Sequence, residues 1–209
     1  MIFGSTELWL EDKPTSKFGY KSKYTWEQLL EIALSCPHID KLSIHTNWEW
    51  GAPKNDRFAL VREARRHTDI PILAKGYHTD AEGVQALRAG ASQFLVIGRV
   101  PTVNLSYAVV ELPMLDEFAR LSRDVHALWN SRNLATGQRK EATFAQARAL
   151  FPKPRWLCQA SNLRRLSDIE PGADAVLIGE CMPDIVAELK ALDIYHSTTP
   201  LPGFAGGTV

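Results

Sequence analysis

The feature that most constrains the fold of this chain is an alternation. Short apolar runs are each followed by a longer stretch with helical spacing, and the pattern repeats from one end to the other. Runs at 7–11 (ELWLE), 41–45 (KLSIH), 70–75 (IPILAK), 93–98 (QFLVIG), 107–112 (YAVVEL), 125–129 (VHALW), 155–159 (RWLCQ) and 175–179 (AVLIG) read as strands. Helices are expected at 25–34, 57–66, 81–89, 114–122, 142–150, 163–168 and 183–192. Thr25 with Gln28 three residues on predicts a capping box at the first of these. Asp80 is the expected cap of the third, and Gly90 its terminator. Positions 101–108 are too few for a crossover helix, so the helix between the fourth and fifth strands is predicted to be missing.

Strands that alternate with helices imply a parallel sheet covered by helices. Eight such units suggest a closed (β/α)8 TIM barrel. The alternative is a doubly wound open sheet, but its usual GxGxxG phosphate turn is absent. The phrases RAGASQFLVIG and EPGADAVLIG resemble each other half a barrel apart. The chain has 209 residues, near the lower limit of about 200 for this fold. It reads as one barrel domain over 1–197 and a frayed Pro/Gly-rich tail over 198–209.

Composition narrows the function classes. At 45% hydrophobic and 23% charged residues the chain resembles an ordinary globular domain. Lys+Arg and Asp+Glu both count 24, and this balance argues against a nucleic-acid binder that works by neutralising phosphates. One local phosphate pocket stays compatible with it. Cys36, Cys158 and Cys181 are too scattered for a disulfide framework or a metal knuckle. No apolar run approaches a membrane span, and the first residues lack a signal-peptide pattern. A cytoplasmic protein with no membrane partner is the expectation. The six histidines show no i,i+4 pair, which argues against a metal site.

In a barrel the chemistry sits at the C-terminal ends of the strands. On this strand assignment the ends carry Glu11 and Lys13, Lys75, Glu111, Asn130 with Arg132, the stretch from Gln159 to Asn162, and Gly179 with Glu180. A lysine closing an apolar strand is costly to bury unless paired, and burial tunes its proton affinity. Such a Lys can act as general acid, and a Glu after two valines as general base.

These residues resemble the indole-3-glycerol-phosphate synthase family of tryptophan biosynthesis. LEDKPTS (10–16) is similar to its strand-one motif A-E-x-K-x-x-S, and IPILAKGY (70–77) to P-[IV]-L-x-K-D-F. VVEL (109–112) is similar to V-E-V-H, and LWNSRNL (128–134) to G-I-N-[NS]-R-[DN]-L. GADAVLIGECM (172–182) is similar to G-A-D-A-V-L-[IV]-G-E-x-[LM]. The resemblance implies a lyase, without metal or organic cofactor. It would close an indole ring on 1-(2-carboxyphenylamino)-1-deoxyribulose 5-phosphate with loss of carbon dioxide and water. It implies Lys75 as general acid, Glu111 as acid/base partner in dehydration, and Lys13 as a substrate contact oriented by Glu11. It further implies Asn130 on the sugar hydroxyls and Arg132 at the carboxylate end. Ser16, Ser161, Gly179 and Glu180 would line the phosphate end.

The chain departs from the family at strand seven, where E-S-G-I is replaced by Gln159-Ala160-Ser161-Asn162. The Cβ of Ser161 would crowd a close backbone approach. Gly76 and Tyr77 replace D-F, and Asn47 follows Thr46 where the family has Glu. Trp48 and Trp50 offer either a stacking surface for an aromatic substrate or simple loop packing. The family's N-terminal helical extension is not recognisable, and an uncovered mouth would favour a homodimer. Three functions stay open: the synthase itself, a paralogue running a related cyclisation or lyase step on another substrate, and a non-catalytic barrel that binds a ligand or partner.

Overall fold

In the computed structural model the described residues are 1–5, 23–47, 52–76, 78–102, 105–121, 125–133, 135–151 and 156–198. They form a closed barrel of parallel strands in sequence order, with β8 pairing back onto β1. The strands are β1 Ile2–Ser5, β2 Lys41–His45, β3 Ile72–Lys75, β4 Gln93–Ile97, β5 Ala108–Glu111, β6 His126–Asn130, β7 Leu157–Ala160 and β8 Ala175–Ile178. Around them lie α1 Trp26–Leu34, α2 Ala59–His67, α3 Asp80–Arg88, α4 Phe144–Leu150 and α5 Met182–Thr198. Short 3-10 turns replace the helix after three strands. They are Leu105–Tyr107 after β4, Asp116–Arg120 after β5 and Leu166–Asp168 after β7. The expected loss of the helix between β4 and β5 thus appears as one 3-10 turn.

The first strand is a correction. It lies at Ile2–Ser5, ahead of the 7–11 run expected to form it and of the expected site residues Glu11, Lys13 and Ser16. All three are outside the described residues, in the connection from β1 to α1. The reason is the fit of the first strand to its surroundings. Phe3 is fully buried inside the barrel, while Gly4 faces the helical layer. A Cβ on Gly4 would sit 3.2 Å from Ile39 and 3.4 Å from Ala33. Glycine breaks the apolar pattern that sequence reading relies on, yet here it lets α1 approach the sheet.

Helix boundaries follow capping chemistry. Thr25, Thr79 and Thr143 each accept from the backbone N–H three residues on, and Gln28, Glu82 and Gln146 return the bond to the cap. These are capping boxes, each satisfying two otherwise orphaned donors. Thr79, not Asp80, therefore caps α3, and Gly90 at φ +106° ends it in a conformation suited to glycine. On α1, Trp26, Leu29, Leu30 and Ala33 are buried at helical spacing. The stretch expected as a helix at 114–122 is only a 3-10 turn. The last helix runs on to Thr198 rather than ending at 192.

Strand register orders the interior. Side chains alternate in and out, and the pairing of neighbouring strands stacks the inward ones in layers. The floor holds Lys41, Gln93, His126 and Ala175. Above it come Phe3, Leu73, Val109 and Cys158, then Ser43, Leu95, Leu128 and Leu177. The next layer is Ser5, Lys75, Glu111 and Ala160. The last, at the C-terminal ends, is His45, Ile97 and Asn130, with Gly179 at the following inward position of β8. The two middle layers are mostly apolar and buried, so the interior is solid. At the floor, Lys41 lies 5.3 Å from the Phe3 ring centre and 5.7 Å from that of Trp156, and donates to Gln93 at 2.9 Å. No helix among the described residues is long and apolar enough to cross a membrane.

Candidate active site

The upper layers bring Lys75, Glu111 and Asn130 together at one mouth, as the sequence predicts. Glu111 is 2% exposed at the end of β5. Burial pushes its carboxyl above the ordinary range. The Asn130 amide, the Lys75 ammonium and the Lys140 ammonium act in the opposite direction. Asn130 Nδ2 donates to Glu111 Oε1 at 2.8 Å, and Asn130 Oδ1 accepts from the Arg132 N–H at 2.9 Å. These two bonds fix which way the amide points. Asn130 therefore orients Glu111. A buried carboxyl with a raised proton affinity, within electrostatic reach of an ammonium, is the pairing that general acid–base chemistry needs.

Arg132 reaches across from the end of β6, its guanidinium 3.7 Å from the Glu180 carboxylate after β8. So Glu180 joins the site as a negative group beside Arg132. This differs from a purely backbone role at the start of α5. Between them lies the turn after β7. Ser161 and Asn162 both have left-handed backbone, φ 66° and 56°. Such a conformation costs about 1–2 kcal/mol per L-residue, less for Asn. The turn is held by Ser131, whose hydroxyl donates toward Ser161 O at 3.0 Å and accepts from Asn162 Nδ2 at 2.8 Å. The expected crowding at Ser161 is therefore expressed as backbone conformation.

Gln159 is a second correction. It points outward, away from the mouth, since Asn130 and Ala160 are the inward pair of this register and Trp129 and Gln159 the outward one. Its amide donates to Asp168 O and accepts from the Glu170 N–H, both at 2.9 Å, bracing the 3-10 turn. The inward residue of β7 at the mouth is Ala160, a methyl group. Trp50 falls outside the described residues, as do Trp48 and Tyr77.

Behind Lys75 a polar cluster fixes the ends of β2, β3 and β4. The Thr46 N–H donates to Lys75 O at 2.8 Å. His78 Nδ1 donates to Leu95 O at 2.8 Å, which leaves Nε2 to meet Thr46 Oγ1 at 2.9 Å. Burial lowers the pKa of His78 from 6.5 to about 4, so the ring is neutral. Arg57 pairs with Glu82 and reaches Thr46 Oγ1 and Asn47 Oδ1. Gly76 fits here because a Cβ would come within 2.7 Å of Thr46 Oγ1 and 2.9 Å of Asn47 Oδ1.

Two mouth residues escaped sequence reading. His45, 7% exposed, is the last inward residue of β2, in register with Lys75. Lys140 is held by its N–H to Ser131 O at 2.8 Å, and its ammonium lies 4.2 Å from the Trp129 ring centre. Parity along KLSIH, which puts Lys41, Ser43 and His45 on one face, was the available signal for the first. Nothing in the spacing pointed to the second.

No family model matches the chain, and no curated protein matches it in sequence. Solved structures do match. A 3-hexulose-6-phosphate synthase aligns at 14% identity and TM-score 0.59, over 91% of this chain and 98% of its own. A dihydrodipicolinate synthase from Thermotoga maritima aligns at 17% identity and TM-score 0.54, over 94% and 76%. A protein from Aquifex aeolicus VF5 aligns at 13% identity and TM-score 0.52, over 93% and 88%. At such identities the likeness is one of fold, and the chain is a (β/α)8 barrel of the TIM type.

Proposed function

We propose that this barrel is an acid–base lyase. In the reading its residues support best, it closes an indole ring on 1-(2-carboxyphenylamino)-1-deoxyribulose 5-phosphate with loss of carbon dioxide and water. The observation that carries the proposal is the buried Glu111 carboxyl, clamped by Asn130 and acting on the same mouth as Lys75. In this reading Lys75 protonates the ketone oxygen as the ring closes. Glu111 gives its proton to the departing hydroxyl. Arg132, just after β6 and facing Glu180 after β8, takes the carboxylate end of the substrate. The enzyme neighbours in the fold comparison are in keeping with an enzyme on this scaffold, although barrels host many chemistries.

A second reading is favoured by β7. Its inward residue at the mouth is Ala160 and its Gln159 faces away, so this wall offers a methyl group where the resemblance leads one to expect a hydroxyl, and an outward amide in place of a carboxylate. That suits a paralogue with the same proton chemistry on a different substrate. The test is to incubate the protein with the carboxyphenylamino-deoxyribulose phosphate and follow indole fluorescence. The synthase reading expects product, and loss of about 10²-fold or more in Lys75→Ala. A folded protein that forms no indole at micromolar concentration removes this reading and leaves the paralogue.

A further inference from the structure

The mouth is asymmetric. Around the axis, the inward positions of β7, β8 and β1 are Ala160, Gly179 and Ser5, all small. The functional groups stand on the facing arc: His45 on β2, Lys75 on β3, Glu111 on β5 and Asn130 on β6. The side chains of β7, β8 and β1 at this level are small, and the polar arc stands across the axis from them. His45 and Lys75 are direct neighbours across the β2–β3 pair. His45 lies in the same uppermost layer as Asn130, which holds Glu111. The Thr46 N–H bond to Lys75 O at 2.8 Å fixes the end of β2 just beyond the imidazole.

We propose that His45 is a further catalytic residue, the base that takes a carbon-bound proton from the ligand during loss of water. The inference rests on the lyase reading above. In the dehydration step the Glu111 carboxyl gives its proton to the hydroxyl of the ring-closed, decarboxylated intermediate, and the C–O bond breaks with release of water. The imidazole of His45 removes a proton from the adjacent methylene carbon, and that C–H electron pair becomes the ring double bond. Glu111 ends one proton poorer and His45 one proton richer, so the pair's total charge is unchanged. The two proton-transfer groups stand on β2 and β5, in adjoining layers of the same mouth.

The test has two arms on the full chain. In single-turnover reactions His45→Gln should still release carbon dioxide, while indole formation slows by about 10²-fold or more. A deuterated methylene in the substrate should slow indole formation by the wild type. Wild-type rates for both products in His45→Gln overturn the proposal. The second arm needs no turnover. Ring signals of His45, assigned by their loss in His45→Gln, should move when ribulose 5-phosphate or the aryl substrate is added to Lys75→Ala, and those of the surface residue His38 should not. A ring that moves in a chain that never forms indole sinks the proposed activity and keeps His45 as a ligand contact. A His45 ring that stays still, or no binding of either probe, overturns the proposal.

Discussion

Glu111 is a carboxyl group placed where ionisation is expensive. Its folded pKa is raised from 4.5, chiefly by burial. A raised acid holds its proton more tightly when folded than when unfolded, so stability is lost as pH climbs from 4.5 through the folded value. Glu111→Gln keeps the shape and the Asn130 contact and removes that cost. Urea melts should show the variant gaining on the wild type from pH 4.5 to pH 8, and parallel curves would contradict it. His78 works at the other end of the pH scale. Its pKa falls from 6.5 to about 4 on folding, so the unfolded chain takes up the proton first. Stability from this group is complete above pH 6.5 and is lost as pH drops towards 4. The full shift corresponds to about 3 kcal/mol. In His78→Gln that acid slope should disappear from melts between pH 7 and pH 4.

At the scale of elements, tight packing decides between competing preferences. Gly83 sits inside α3, where alanine would favour the helix by about 1 kcal/mol. A Cβ there would lie 2.6 Å from the ring of Phe94, which is fully buried and has no room to retreat. Overpacking of this kind costs about 1–3 kcal/mol. Gly83→Ala should therefore lower the melting temperature despite the better helix former, and a rise would show that the ring yields. Similar packing explains what the sequence left hidden. The later strands and the capping box of Thr25 with Gln28 were legible because apolar runs and a Thr-x-x-Gln pattern are local, whereas the cap of α3 falls on Thr79 and not on the expected Asp80. The first strand was misplaced because Gly4 answers to Ile39 and Ala33, remote contacts that leave no local mark. Lys75, Glu111 and Asn130 were legible as polar residues ending apolar runs. His45 was missed and Gln159 misassigned because inward or outward depends on register, fixed only by the neighbouring strand.

For the whole molecule, one circuit of strands does two jobs. The lower layers close the interior, and the upper two carry polar groups on a single arc. Balanced charge over the chain fits this division, because attraction of a ligand is left to a few groups at one end. Lys41, set between Phe3 and Trp156, belongs to the floor and not to the site. Burial lowers its pKa, while Asp40 and Cys158 pull the other way.

The layer above that floor closes the barrel on one side of the mouth residues. Phe3, Leu73, Val109 and Cys158 seal the axis beneath Lys75 and Glu111, so nothing that enters at the mouth leaves by the far end. In the proposed lyase, reactant and product would use the same opening in turn, and a bound product would block the next reactant. If the proposed reaction holds, steady-state assays should show the ring-closed product inhibiting by raising KM alone, with the maximal rate untouched, and a fall in the maximal rate would point to a second way out.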